Sequence, residues 1–389
     1  MREQPVVLHQ GVFKPTAKTS EAVFMITGMT IGAGVLGIPY VVAQVGLLPG
    51  LGFILVLGLV MLALNLLIGE ITVRTGESLQ LPGLAGKYLG GWAKSLMSLI
   101  IVLSGYGALL AYIVGESETL SALFGGDALW WGVFFWSLGS FLVWRGLQTV
   151  KKVEKIFSIL VIGLITILSV YLLRHFQPEV VPYYNLSKMF LPYGVILFAL
   201  HASPAIAEAH ALLPGSQRHF RRAVILGTLI PIAVYMLFAL AAVGAGGLSV
   251  TEVATVGLGQ KFGDGVALLG NLFAIFAMGT GFFGFGVALK QTFVWDHKLS
   301  PWFSQFLVIS IPLALFLLGL RSFIGILDLV GGLFIGVEAI IVALVFWRAR
   351  QRGDLDASRY TLPHVWLLLA PVLLVFTLAT VFSIIKLIN

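Results

Sequence analysis

Long runs of apolar residues, separated by short polar segments, recur along the chain. A helix needs about 20 mostly apolar residues to cross a bilayer, so the pattern predicts an all-α polytopic membrane protein with eleven transmembrane helices. The predicted helices cover residues 22–45, 48–72, 92–115, 128–144, 153–173, 186–213, 223–247, 265–294, 302–320, 322–348 and 362–386. Residues 1–20 are predicted to form a cytoplasmic N-terminal tail.

Two of these runs contain residues that disfavour a continuous helix. The first carries four glycines and a proline within residues 28–39, and the sixth carries Pro204 in the stretch Leu200–Ala205. Glycine weakens a helix, and an internal proline removes a backbone donor and clashes with the preceding turn. We therefore expect breaks near the midplane of helices 1 and 6. The alternative for helix 1 is that Gly28 and Gly32 only allow close helix packing.

The two breaks are five helices apart, and five is odd. A second set of five helices then starts on the opposite membrane face, so its topology is inverted. The sequence predicts a 5+5 inverted repeat, with residues 21–173 as the first repeat and 186–348 as the second. Residues 362–386 form an extra C-terminal helix. Interrupted helices at matching positions of two halves are the best sequence indication of a transporter's binding site.

The broken backbone supplies the binding chemistry. Irregular backbone at this depth is tolerated where it lines a cavity or is buried in protein. Free N–H groups near Gly34 to Leu36 would bind a carboxylate. Free carbonyls near Ile31, Phe198 and Leu200 would bind an ammonium group or a cation. Together the two ends fit the zwitterion of an amino acid.

The predicted substrate-binding residues come from helices 1, 3, 6 and 8. His201 would bind substrate, relay a proton or serve only the structure. The two tyrosines would contact the substrate carboxylate or simply pack, and the phenylalanine would line an apolar pocket or pack beside helix 1. The full set is Thr30, Ile31, Gly32, Ala33, Gly34, Val35, Tyr106, Tyr112, Phe198, His201, Ala202, Ser203 and Phe282.

Composition narrows the function. Apolar residues make up 59% of the 389 and charged residues 11%, against about 25% charged in soluble domains. That composition excludes a cytosolic enzyme, a nucleic-acid-binding protein and a disordered scaffold. Cysteine is absent, which excludes disulfides and thiolate metal sites. The sequence offers neither metal-ligand spacing nor a nucleophile beside a base, so we do not expect an enzyme.

The basic residues predict the orientation. With a cytoplasmic N-terminus, 19 of the 24 lysines and arginines fall on the cytoplasmic side and 5 on the other. This asymmetry follows the positive-inside rule and leaves the C-terminus outside. The net charge of +7 then faces anionic lipid rather than nucleic acid. We call the side with the 19 residues the basic face.

Ionisable residues inside spanning segments are costly and usually functional. Glu338 lies near the middle of helix 10 and would couple or gate transport, or stay a neutral hydrogen-bonded acid. Glu70, Lys155, Glu208 and Lys290 lie at similar depth near the cytoplasmic ends of four helices. They would form ion pairs that close an inner gate, or each would extend separately to the interface.

Several short motifs occur in an order that is similar to a known family. The motifs are Gly28–Gly34, Leu84–Gly90, Ala111–Ile113 with Gly115, Phe198 with His201 and Pro204, Ala223–Gly227, Ile230–Pro231, Val234–Tyr235, Gly331–Gly332 and Trp347–Arg350. The chain thus resembles the bacterial aromatic and hydroxy amino acid permeases. These belong to the amino acid/auxin permease branch of the amino acid–polyamine–organocation (APC) superfamily. The resemblance implies an inverted-repeat fold and amino acid uptake driven by a proton or sodium gradient.

The resemblance leaves the coupling ion open. Sodium-using superfamily members often carry Thr-Ser on helix 8, and here the pair is Thr280-Gly281. A sodium site would use the carbonyls of Gly28, Ile31 and Ala277 with the Thr280 hydroxyl, one oxygen short of that pattern. Some proton-coupled relatives place a lysine on helix 5, where this chain has Val161. Proton coupling would then fall to His201 or Glu338.

These observations predict a secondary active amino acid transporter in the plasma membrane of a prokaryote. It would work by alternating access and cation-coupled symport, with no cofactor beyond Na⁺ or H⁺. The substrate side chain would be neutral, because neither break contains a charged residue. The family resemblance further implies a hydrophobic or aromatic amino acid. The alternative is a membrane sensor that binds an amino acid without moving it.

Overall fold

The computed structural model describes residues 19–77, 79–145, 147–213 and 216–388, and the side chains of residues 145–156, 211, 295 and 296 fall outside that description. Most of the predicted tail, residues 1–18, lies outside it as well. The described residues form helices and connecting segments, with no β-strand among them.

Sixteen α-helices follow one another along these residues. They are α1 Thr19–Thr30, α2 Gly34–Val45, α3 Leu47–Arg74, α4 Leu81–Leu89, α5 Gly91–Phe124, α6 Ala128–Arg145, α7 Leu147–Leu173, α8 Leu191–Ala199, α9 Ser203–Leu212, α10 Gln217–Gly246, α11 Ala254–Phe262, α12 Asp264–Gln291, α13 Pro301–Leu317, α14 Phe323–Leu329, α15 Ile335–Arg352 and α16 Trp366–Ile388. A π-helical turn, Val330–Phe334, joins α14 to α15.

Each of the eleven predicted runs coincides with one helix or with consecutive helices. Within the described ranges, seven helical segments are long and apolar enough to cross a membrane, and the bent pair α1–α2 makes an eighth. Three further apolar helices, in α6, α7 and α13, are shorter. The membrane-spanning, all-α architecture is therefore confirmed, while the number eleven and the repeat boundaries remain predictions.

The broken helices lie at the centre of the packing. Helix α2 packs along α8, and α1 packs along α9, so the two breaks adjoin. Helix α10 covers α1 and α3 from one side, while α12 packs against α5 and α7. Gly331 makes the closest backbone approach here, since a Cβ atom on it would lie 1.8 Å from the Gly194 carbonyl oxygen. The π turn and α8 are consequently in direct backbone contact.

Glu70 is the centre of a buried ionic cluster at the basic face. Its carboxylate is fully buried and accepts from Arg74 Nε and Arg350 Nε, both at 2.9 Å. It also accepts from the Leu362 N–H at 2.9 Å, while Arg350 donates to the Leu362 carbonyl at 2.7 Å. These bonds join α3, α15 and the segment that leads into α16.

This cluster gives Glu70 partners that the predicted inner gate did not include. Glu70 is paired with arginines of α3 and α15, rather than with a lysine of α7 or α12. The side chain of Lys155 lies outside the described ones. Glu208 on α9 and Lys290 on α12 are half-buried. Whether Lys155, Glu208 and Lys290 close an inner gate remains a prediction. Arg350 was not predicted as a partner of Glu70 because it is 280 positions away, and charge and depth alone do not identify such a partner.

A second, exposed ionic contact ties α4 to the segment after α15. Lys87 donates to Asp354 at 2.5 Å and to Glu77 at 2.7 Å, and Asp354 also accepts from the Gly76 N–H at 3.0 Å. The Lys87 ammonium and the Gly76 N–H lower the pKa of Asp354 below its usual value. Any stability from this shift is present at neutral pH and is lost as the pH falls through the lowered pKa.

We predict that Glu70→Gln destabilises the protein strongly and Glu77→Gln barely. Removing the buried carboxylate leaves two arginines without their anion, a loss of about 3–5 kcal/mol for a buried pair. An exposed pair contributes about 0–1 kcal/mol. Thermal unfolding in detergent, followed by loss of monodisperse protein, measures both variants. Equal melting temperatures would show that the Glu70 cluster carries no stability.

Candidate functional site

The first helix breaks where the glycines predicted it. Helix α1 ends at Thr30, α2 begins at Gly34, and their axes differ by 56°. In the gap the Gly32 N–H donates to the Thr30 carbonyl at 3.1 Å, and the Leu36 N–H turns back to Ala33 at 3.0 Å. The N–H of Gly34 has no hydrogen-bond partner in the described part of the chain. The first turn of α2 thus presents a free donor, as helix N-termini do.

The second break lies at Leu200–Ala202, between α8 and α9, and it confirms the corresponding prediction. The His201 N–H closes a turn onto the Phe198 carbonyl at 3.2 Å. Pro204 stands in the first turn of α9, where a proline is tolerated because that N–H has no helical partner. Proline therefore starts a new helix here instead of kinking an old one.

Close backbone contact joins the two breaks. A Cβ atom on Gly34 would lie 2.4 Å from Ala199 Cα. A Cβ on Gly32 would lie 2.7 Å from the Tyr112 hydroxyl, and one on Gly281 would lie 2.4 Å from Tyr112 Cζ. The phenol of Tyr112 is therefore enclosed between the helix 1 break and α12.

The Tyr235 hydroxyl on α10 lies within hydrogen-bond distance of a carbonyl at each break. The hydroxyl oxygen is 2.8 Å from the Thr30 carbonyl oxygen and 3.0 Å from that of Ala199. Both carbonyls belong to the last residue of a half-helix, α1 and α8 respectively. The side chain is fully buried, and its single O–H can donate to the end of one half-helix or be shared between the two. The sequence showed this residue only as part of the Val234–Tyr235 motif.

A small central cavity lies beside both breaks. Backbone of the breaks forms one wall, and side chains of α5, α12 and the π turn form the others. Three of the side chains are aromatic: Tyr112, Phe198 and Phe285. The complete lining is Met29, Thr30, Gly32, Gly34, Ser104, Ala108, Tyr112, Phe198, Ala199, His201, Phe285 and Val330.

A wider vestibule continues from this cavity towards the basic face. Ser104, His201 and Phe285 line both spaces and so mark their junction. The vestibule's far end is formed by Gln80 at the start of α4 and Thr292 after α12. The vestibule therefore extends from the cavity towards the basic face.

His201 and Glu338 form a buried pair at the vestibule wall. His201 Nε2 lies 3.0 and 3.2 Å from the two carboxylate oxygens, and both side chains are buried. Glu338 comes from α15, so the pair links the helix 6 break to the helix that follows the π turn. The two residues predicted separately as proton carriers are thus hydrogen-bonded to each other.

Only part of the predicted substrate set reaches the cavity. Thr30, Gly32, Gly34, Tyr112, Phe198 and His201 line it. The other predicted residues do not line it; these are Ile31, Ala33, Val35, Tyr106, Ala202, Ser203 and Phe282.

Two aromatic predictions need correction. Phe282 is buried edge-on against Phe135 of α6, with ring centroids 5.2 Å apart, so it packs between helices. Phe285, one turn further along α12, lines the cavity in its place. Tyr106 packs against Phe293 at 6.4 Å. Helical spacing predicts which aromatic residues share a face of α12 or α5. It does not predict which other helix that face packs against, because this depends on the tertiary structure.

The predicted cation site has a mixed outcome. Thr280 donates its hydroxyl hydrogen to carbonyls of its own helix, Phe276 at 2.8 Å and Ala277 at 3.1 Å, which leaves its lone pairs free for a cation. Serine could not replace Gly281 without displacing Tyr112, which explains why the Thr-Ser pattern is incomplete. Whether Gly28, Ile31, Ala277 and Thr280 bind an ion remains a prediction.

Sequence reasoning missed Glu116 on α5. Its carboxyl is fully buried, and neither oxygen has a hydrogen-bond partner among the described residues. It lines neither the cavity nor the vestibule. Its position within an apolar run was the available signal, since ionisable groups at such positions are rare.

Known proteins resemble the chain in sequence and in structure. The sequence profile of the tryptophan/tyrosine permease family matches residues 16–385. The protein "Tyrosine-specific transport system 2" of Haemophilus influenzae is 32% identical over 249 residues, 58% of each chain. "Glutamine transporter 2" of Aliivibrio fischeri is 25% identical over 286 residues, 68% of this chain and 72% of that one. The match to the first relative thus spans little more than half its length.

The fold is shared with a solved structure, that of MhsT in complex with L-phenylalanine. The TM-score is 0.70 at 16% sequence identity, with 94% of this chain and 97% of the other covered. The predicted class of fold, an α-helical transporter fold with interrupted helices, is thereby confirmed.

We predict that Gly32→Ala impairs transport and that Tyr112→Phe partly restores it. The added methyl group would collide with the Tyr112 hydroxyl, and removing that oxygen makes room. Initial uptake rates of the two single variants and the double variant form a double-mutant cycle, with a coupling of about 0.5–3 kcal/mol expected between contacting residues. Additive losses would show that the two groups do not compete for the same space.

Proposed function

The chain belongs to the tryptophan/tyrosine permease family, and from this premise we propose that it carries tyrosine and related aromatic amino acids through the central cavity. Membership makes the protein an amino acid transporter rather than an enzyme. We also propose that this family belongs to the wider amino acid/auxin permease branch.

One observation supports this function best: Gly34, whose N–H is free at the start of α2, lines a cavity walled by aromatic rings. The Gly34 N–H and the positive end of the α2 dipole would hold the substrate carboxylate. Tyr112, Phe198 and Phe285 would pack around an apolar or aromatic side chain. The vestibule would release the substrate at the basic face, which we propose is cytoplasmic.

Counterflow tests the transport directly. Purified protein in liposomes loaded with unlabelled tyrosine should accumulate labelled tyrosine, and tryptophan and phenylalanine should compete. A sensor would bind tyrosine without counterflow. Counterflow with glutamine but none with an aromatic amino acid would refute the proposed substrate, while leaving amino acid transport in place.

We propose that the coupling ion is the proton and that the His201–Glu338 pair carries it. The pair is buried, lines the vestibule and is held at 3.0 Å. A carboxylate beside an imidazole can share a proton with it. The pair can bind or release that proton when its hydration changes, as water enters from one membrane face or the other. Sodium coupling is the competing mechanism, and Gly281 leaves its site one oxygen short.

Glu338→Gln should abolish uptake driven by an imposed pH gradient while preserving counterflow. The amide keeps the shape and the hydrogen bonding but cannot ionise. Glu116→Gln is the matched control, because Glu116 is an equally buried carboxyl that lines neither space. Proton-driven uptake by Glu338→Gln, or its loss in Glu116→Gln alone, would contradict the assignment.

Thr280→Val tests the competing ion. With proton coupling, a sodium gradient should not drive uptake in the wild type, and the variant should keep its dependence on the pH gradient. Sodium-driven uptake that Thr280→Val weakens, with substrate affinity retained at saturating sodium, would instead locate a sodium ion beside α12.

A further inference from the structure

Ser104 on α5 has an unusual hydroxyl. It is buried, and its Oγ has no hydrogen-bond partner among the described residues. Serine and threonine inside helices commonly donate to a carbonyl three or four residues earlier. Ser117 and Thr119 do so on the same helix, to Val114 at 2.7 Å and to Gly115 at 2.8 Å. Ser104 lacks that bond, so its hydrogen-bonding capacity is free for another group.

The residue that carries this free hydroxyl lines both spaces, although its Oγ itself is buried. Among the unpartnered buried side-chain oxygens of the described residues, Ser104 Oγ is the one whose residue lines the cavity and the vestibule. His201 is the other polar side chain that lines both spaces. Its Nε2 is engaged with Glu338, whereas Nδ1 has no bond to any described residue. The surrounding wall is apolar, formed by Gly105 and Phe285 among others.

The junction lies towards the basic face from the expected position of the zwitterion. Tyr112, which abuts Gly32, is eight residues after Ser104 on α5, or about 12 Å along the helix. A substrate whose carboxylate binds at Gly34 and whose side chain points towards the vestibule would bring its tip to Ser104 and His201. A polar tip would satisfy both groups, and an apolar tip would leave them buried without partners.

We propose that Ser104, assisted by His201, recognises the polar tip of the substrate side chain. The protein then selects amino acids that end in a hydroxyl or amide group over their apolar counterparts. Sites that hydrogen-bond such a group discriminate against the analogue lacking it, because their buried polar atoms are otherwise left unpaired. This inference rests on the proposed transport of amino acids through the central cavity.

The test compares competitors that differ at the tip, in counterflow with proteoliposomes. Tyrosine and phenylalanine form one pair, and glutamine and methionine form another. In the wild type we expect the polar member of at least one pair to compete better. In Ser104→Ala that preference should fall about tenfold, as for the loss of one hydrogen bond, with competition by the apolar member unchanged or improved.

Two variants serve as controls. Ser98→Ala removes a buried, unpartnered hydroxyl of the same helix that lines neither space, and it should keep the wild-type preference. Ser104→Thr retains a hydroxyl at this position and should also show the wild-type preference. An unchanged preference in Ser104→Ala, or a wild type indifferent to the tip in both pairs, would overturn the proposal. Absence of counterflow with every amino acid would instead refute the transport function itself.

Discussion

The need to satisfy backbone hydrogen bonds is the main constraint on this structure, because a peptide group without a partner inside a bilayer costs several kcal/mol. Breaking two helices at the same depth exposes donors at the start of α2 and acceptors at the ends of α1 and α8. Two of these acceptors, the carbonyls of Thr30 and Ala199, lie within hydrogen-bond distance of the single Tyr235 hydroxyl. The N–H of Gly34 has no partner among the described residues, and Gly34 lines the cavity.

The free Gly34 N–H indicates which end of a ligand would bind at the helix 1 break. One polar group that remains open beside the cavity is the Gly34 N–H, at the positive end of the α2 dipole. An anionic group is the natural ligand for that end. The remaining walls are aromatic and aliphatic, except at the junction with the vestibule, where Ser104 and His201 lie. A ligand with one charged end and a less polar body fits this distribution.

The breaks were predictable from the sequence, because glycine density and Pro204 act on the local backbone. The site was predictable only in part. Side-chain contacts such as Phe285 in place of Phe282, or Arg350 against Glu70, depend on how distant helices pack. The π turn at Val330–Phe334 could not be predicted in the same way, because no residue in it disfavours an α-helix as strongly as a proline does. Its Gly331–Gly332 pair is explained only by the close contact with Gly194, which the sequence does not show. Tyr235 appeared in the sequence as one aromatic among many.

The enclosure of Tyr112 has an evolutionary consequence. One phenol fills the space beside both Gly32 and Gly281, so side chains at those two positions compete with the same ring. A descendant that gains a serine at position 281 must first shrink residue 112, and shrinking it also frees position 32. These three positions should therefore vary together among homologous sequences. The residues at these three positions would then distinguish two groups of homologues. One group has a smaller residue at position 112 and can carry Thr-Ser at positions 280 and 281, and the other keeps the tyrosine and the two glycines.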